Sequence, residues 1–234
     1  DTDCPFLPEE TALNDRERGF LLLTSHLGDP ERKVLTAAQL RQLALRVRER
    51  KPEAEGRELT EKDLTELDYP EEAARQIVTL LSQEPLLDDY LARGEAWGCV
   101  PLTRVSPEYP LLLRQRLGLD SPGCLWAKGD LSILNTPTLS LVGSRELREP
   151  NRAFARRVGE LAAERGITLV SGNARGADRE AQDACRKAGG RVISIVADSL
   201  DKYPGRNRLF LSEEDFDEPF SAQRALSRNR CIHA

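Results

Sequence analysis

Between Thr138 and Val196 short β-rich runs alternate with helical stretches, and this alternation restricts the fold more than any other feature of the chain. Thr138-Leu139-Ser140-Leu141-Val142, Ile167-Thr168-Leu169-Val170 and Val192-Ile193-Ser194-Ile195-Val196 read as strands. Between the first two lies Pro150–Arg165, with Phe154, Val158 and Leu161 on one helical face and Gly166 as its stop. Between the last two lies Ala177–Ala188, rich in small residues and closed by Gly189-Gly190. Strand, helix, strand, helix, strand with short links is a βαβαβ unit. It predicts an α/β domain with a parallel sheet and right-handed crossovers. Cys124-Leu125-Trp126-Ala127 is a further candidate strand.

The texture changes near Trp97, which sets the expected boundary between residues 1–96 and 97–234. The first part reads as helices. Thr36 with Gln39 forms a capping-box pattern, followed by Leu40, Leu43 and Val47 at helical spacing. Thr60 opens a second amphipathic stretch. Pro70–Gln83 is a third, with Ala73, Ile77, Leu80 and Leu81 on one side. The charged segment Arg48–Arg57, with Pro52 and Gly56, reads as a solvated linker.

With 234 residues, 39% hydrophobic, the chain can bury a sizeable core. It carries no apolar run near the roughly 18 residues of a membrane helix, and its acidic opening Asp1-Thr2-Asp3-Cys4 does not read as a secretory signal. A cytoplasmic protein without membrane contact is expected. The five cysteines, at 4, 99, 124, 185 and 231, form no C-x-x-C pair and read as reduced thiols. Only Cys231 and His233 stand close together, too few ligands for a metal site. The net charge of −5 hides an asymmetry. Residues 140–234 hold 17 cations, 15 of them Arg, against 14 carboxylates, while residues 1–139 hold 17 against 25. Anion contacts are therefore expected in the second part.

In an open parallel sheet, ligands bind beyond the carboxyl ends of the strands. Two such ends here carry small residues followed by Arg: Gly143-Ser144-Arg145, and Ser171-Gly172-Asn173-Ala174-Arg175-Gly176-Ala177-Asp178. Glycines let backbone approach a ligand, and the N–H groups of the following helix point at it, which suits phosphate. Arg145 and Arg175 would add charge-assisted contacts. Asp178 reads equally as a first-turn carboxylate favoured by the helix dipole and as a ligand or Arg-orienting group. No G-x-G-x-x-G follows the first strand and no P-loop occurs, so NAD and ATP are disfavoured and no cofactor is expected.

These motifs, in this order, resemble the DprA/Smf DNA-processing family. The resemblance runs from Tyr109-Pro110 and Leu125–Asp130 through Val142–Arg145 and Val170–Asp178 to Tyr203-Pro204, Ser212-Glu213 and Arg228-Asn229-Arg230, over residues 100–234. Gln182 stands where the family usually has His, and Asn173 where Leu or Met is common. The resemblance implies an extended Rossmann-like, doubly wound, mostly parallel sheet preceded by a small all-α module of the SAM/HhH-like kind. It implies binding of single-stranded DNA without catalysis, protecting incoming strands and helping to load RecA in natural transformation, by a homodimer. The family's pocket maps onto Gly143, Ser144, Arg145, Ser171, Gly172 and Arg175, and onto Asn207 after Tyr-Pro. Asn173, Gly176 and Asp178 of the second loop are candidate contacts beside them, and Lys202, Arg228, Asn229 and Arg230 follow in the motif order as further phosphate contacts. Tyr203, Phe210, Phe216 and Phe220 are the local aromatics, the last two read chiefly as packing.

Two alternatives use the same pocket: a small-nucleotide sensor, and a phosphoribohydrolase acting on nucleoside monophosphates. The latter would want paired carboxylates, for which Asp178 and Glu213 could be offered. Its Pro-Gly-Gly-x-Gly-Thr-x-x-Glu string is absent, and the two histidines, His26 and His233, form no Ser/His/Asp arrangement with the loops.

Overall fold

The computed structural model describes residues 12–50, 59–204 and 208–234. Asn207 and most of the expected linker, residues 51–57, lie outside them. The chain divides into two compact units between Arg93 and Gly94.

The first unit is helical: α1 (Asp15–Thr24), α2 (Ala37–Arg50), α3 (Glu61–Glu66), α4 (Glu71–Leu81) and most of α5 (Glu84–Ala96). Side chains set the helix starts. Asn14 and Glu17 close a capping box on α1, Thr60 and Asp63 another on α3, and Thr36 with Gln39 do the same before α2. The helix α2 continues through Arg50, so Arg48–Arg50, expected in the linker, are helical. The buried side of α4 is Ala74, Ile77 and Leu80; Ala73 is only partly covered. Leu23, Leu35, Leu43, Leu64 and Leu67 complete this core.

The second unit is a six-stranded sheet in the order β1-β2-β6-β5-β4-β3. Its strands are β1 (Cys99–Thr103), β2 (Cys124–Gly129), β3 (Thr138–Ser140), β4 (Thr168–Ser171), β5 (Val192–Val196) and β6 (Leu209–Ser212). The β3-β4, β4-β5 and β5-β6 pairs are parallel, while β1-β2 and β2-β6 are antiparallel. Alternation sends successive side chains to opposite faces. Leu169 and Val192 pack under α7 (Glu149–Glu164) and α8 (Ala177–Lys187). Val170, Ile193 and Ile195 pack on the other face with Leu113 of α6 (Leu111–Leu117) and Ile232 of α10 (Asn229–His233). A short helix, α9 (Ala222–Ser227), precedes α10.

The structure corrects the expected face of α7. Its buried residues are Ala155, Gly159 and Ala162, whereas Phe154 is 68% exposed. The cause is the closeness of α7 to α8: a Cβ on Gly159 would run into the Ala181 carbonyl. Helices crossing that tightly need small residues, so the largest hydrophobe faces water.

Strand β6 was not foreseen, and its approach is unusual. The described residues of the parallel crossover from β5 to β6, 197–204 and 208, contain one short 3₁₀ turn, Leu200–Lys202, and no packed α-helix. Tyr203 stacks on Phe210 along this path, ring centroids 4.7 Å apart. Among the described residues no helix is long and apolar enough to cross a membrane.

Candidate phosphate-binding edge of the sheet

The loops after β3 and β4 meet at the carboxyl edge, and glycines make the meeting possible. A Cβ on Gly143 would come within 2.5 Å of the Ala177 Cβ. Gly176, at φ +95°, lies so close to the Ser144 carbonyl and the Arg145 backbone that no side chain fits there. The Ala177 N–H donates to the Ser144 carbonyl at 3.0 Å, tying the first turn of α8 to the neighbouring loop. The Ser144 hydroxyl is engaged locally, donating to the Glu146 carbonyl and accepting from the Glu146 N–H.

Asp178 shapes the second loop from within. It is 3% exposed, and Oδ2 accepts from the Gly172 N–H at 3.0 Å and the Ala174 N–H at 3.3 Å. The carboxylate therefore organises the loop, a role that neither reading of the sequence named. Asn173 adopts φ +57°, a conformation Asn tolerates better than most residues, and its carbonyl accepts from Arg179 Nε.

The arginines of the motif divide into two kinds. Arg145 and Arg175 are exposed; among the described residues Arg175 makes a single ion-pair contact, at 3.9 Å, with the exposed Glu146. Arg228 is 6% exposed and lies beneath the loop. Its Nη1 donates to the carbonyls of Gly172 and Ile195, at 2.7 and 2.5 Å, and its Nε to Asn229 Oδ1. It thereby fastens the ends of β4 and β5 to the start of α10. Burial pulls its pKa down, opposed by Asp178 and Tyr203. Arg230 pairs with the buried Glu213 and donates to the Asp120 carbonyl. Burial raises the Glu213 pKa, against the pull of Arg230. Lys202 is exposed and pairs with Asp198 at 2.7 Å. The structure thus brings Gly143, Ser144, Arg145, Ser171, Gly172, Asn173, Arg175, Gly176 and Asp178 together, with Arg228 and Asn229 directly beneath.

A polar layer lies under the second loop. Ser171 and Ser194 are register partners, and the Ser194 hydroxyl donates to Gln182 Oε1 at 3.2 Å. Ser171 Oγ and Gln182 Nε2 are buried with no hydrogen-bond partner among the described residues. A groove of about 1140 Å³ starts at Arg145 and Arg175 and follows α7 and α8; Arg152, which pairs with Glu180, and Arg179 also line it, and so do the carboxylates of Glu146, Glu160, Glu164 and Asp183. The two cations Arg152 and Arg179 were missed in the sequence. They lie outside the motif strings, and only the folded loops bring them near.

Residues 101–234 match the family model of DNA recombination-mediator protein A. The chain belongs to that family. Within it, the chain is 34% identical over 125 residues to protein Smf of Escherichia coli, an alignment covering 48% of this chain and 33% of that one. It is 33% identical over 124 residues to the DNA processing protein DprA of Streptococcus pneumoniae, covering 48% and 44%. Protein Smf of Synechocystis is 31% identical over 117 residues, covering 48% and 29%. The matched part thus spans less than half the length of these family members. The crystal structure of DprA from Streptococcus pneumoniae shares the fold, with a TM-score of 0.63 and 23% identity over 85% of this chain and 74% of that one.

Proposed function

We propose that this chain binds single-stranded DNA without catalysing a reaction on it, as a DNA-processing protein that shields incoming strands and assists RecA loading in natural transformation. The carrying observation is the pair of exposed, weakly engaged guanidiniums, Arg145 and Arg175, on two loops locked together by Gly176. Rigid loops with free guanidiniums suit a ligand that presents repeated phosphates. Binding rather than turnover is supported by the state of the carboxylates. Asp178 accepts two loop N–H groups and Glu213 is paired with Arg230, so neither is placed as a free acid or base. The contribution to RecA loading and a homodimeric state are carried over from the family resemblance, and a cytoplasmic location from the reading of the sequence; all three belong to the same proposal.

The test is fluorescence anisotropy of labelled oligo-dT of about 20 nucleotides over a range of salt, with duplex and a nucleoside monophosphate as competitors. Salt-sensitive binding that duplex and mononucleotide fail to displace is the expected result. Displacement by the mononucleotide, or its hydrolysis, would replace this reading with the sensor or hydrolase alternative.

A further inference from the structure

The carboxyl edge of the sheet is not its only basic edge. At the opposite, amino edge a cup of about 690 Å³ is lined by Arg186 and Lys187 from the last turn of α8, Arg191 before β5 and Arg208 before β6. Among the described residues, Asp130 is the one carboxylate in its lining. Asp130 Oδ1 already accepts from the backbone N–H and the hydroxyl of Ser132, so it is held in its own turn. Arg186 pairs with Asp183 at 3.1 Å, and Arg191 donates to the Gly166 carbonyl at 2.6 Å. Lys187 and Arg208 have no carboxylate partner among the described residues; Arg208 only lies over the Phe210 ring, 5.9 Å from its centroid.

A helix C-terminus attracts cations by itself, which accounts for Arg186 and Lys187. It does not account for Arg191 and Arg208, which arrive from two strand starts. In a chain of net charge −5, four cations from three segments facing one carboxylate form a local excess that an anion would neutralise. Among the described residues the lining includes no aromatic ring on which a base could stack. Its apolar members are Ile133 and Pro204. The cup is open and its cations come from three separate segments, which fits a row of phosphates better than one enclosed anion.

We infer that this amino-edge cup is a second phosphate-contact site, taking the backbone of the same single strand held at the carboxyl edge. The inference rests on the DNA-binding reading above. Strand β5 has five residues, so about 16 Å separates the two edges. A strand of about 4 nucleotides would fill one site, and one of about 20 would reach both.

The experiment compares wild type, Arg191→Ala/Arg208→Ala and Arg145→Ala/Arg175→Ala on labelled oligo-dT of both lengths; Lys187 is left in place because it also lines the groove along α7 and α8. The amino-edge variant should bind the short strand as wild type does and the long strand about tenfold more weakly. Its salt slope on the long strand should fall by about 1.4, two contacts at roughly 0.7 each. The carboxyl-edge variant should weaken on both lengths. Arg191→Lys/Arg208→Lys should keep the long-strand affinity, as a role in charge requires. The inference is overturned if Arg191→Ala/Arg208→Ala binds the long strand like wild type, or weakens equally on both lengths. If wild type binds neither strand, the DNA-binding reading itself fails. Calorimetric titration with pyrophosphate then examines the cup alone: heat lost in Arg191→Ala/Arg208→Ala would make it a free-phosphate site and overturn its assignment to a strand.

Discussion

The guanidinium of Arg228 occupies the space that a Cβ on Gly172 would need. Asp178 Oδ2 closes the same space from the other side, 2.8 Å from that Cβ position. The second loop is therefore built around a glycine because a buried cation and a buried carboxylate meet beneath it. Gly172→Ala should force Arg228 away from the Gly172 and Ile195 carbonyls. The expected loss is about 1–3 kcal/mol of stability by overpacking, with weaker DNA binding. Urea unfolding and anisotropy measure both, and an unchanged variant would show that Arg228 has room to retreat.

Arg145 and Arg175 stand on the solvent side of the same loops. Arg145→Ala and Arg175→Ala should each leave stability within about 0.5 kcal/mol of wild type. Each should also lower the salt dependence of oligo-dT binding by about 0.7 in the log–log slope. A lowered melting temperature without a change in slope would contradict the division of the arginines into exposed and buried kinds.

Removing the Asp178 carboxylate should act from inside. Asp178→Ala leaves the Gly172 and Ala174 N–H groups without their acceptor, at a cost of about 1–3 kcal/mol. Hydrogen exchange at residues 172–174 should quicken before the rest of the sheet responds. Protection equal to wild type would mean that the loop holds its shape without Asp178.

The contact of α7 with α8 predicts an inversion of the usual expectation about size. Gly159→Val should destabilise severely, because its side chain would enter the Ala181 backbone. Phe154→Ser should stay within about 0.5 kcal/mol of wild type, since Phe154 is on the surface. Thermal melts of the two variants decide this.

Glu213 gives the protein a pH signature. Burial raises its folded-state pKa above that of the unfolded chain, so the native state holds this proton more tightly. Its contribution is greatest below the ordinary carboxylate pKa and is lost as pH rises through the raised value. The difference in melting temperature between Glu213→Gln and wild type should therefore move in favour of Gln as pH climbs from about 4 to about 7. A difference that stays flat over that interval would remove Glu213 as its source.

The βαβαβ core was legible because glycines and small residues mark its turns and because β4 and β5 are dense in β-branched and apolar side chains. The packing face of α7 was not. Periodicity weights large hydrophobes, and the crossing with α8 selects for the absence of a side chain at Gly159. Strand β6 escaped notice because Leu209–Ser212 is only four residues long and no packed α-helix precedes it among the described residues of its crossover. In the site, the loop glycines and the two exposed arginines could be read directly. The Arg-Asn-Arg string could not, since cations in sequence look alike whether they face solvent or lie beneath a loop. Arg228 is distinguished only by the carbonyls of Gly172 and Ile195, contributed by segments 56 and 33 residues away.

That separation has a consequence for how the molecule is made. A growing chain that has emerged as far as Phe216 already contains both loops and the sheet that carries them. It does not yet contain the guanidinium that pins the second loop to the end of β5. During synthesis, the shape of the phosphate-binding edge waits for Arg228, so a half-made protein holds the loop residues before it holds their arrangement.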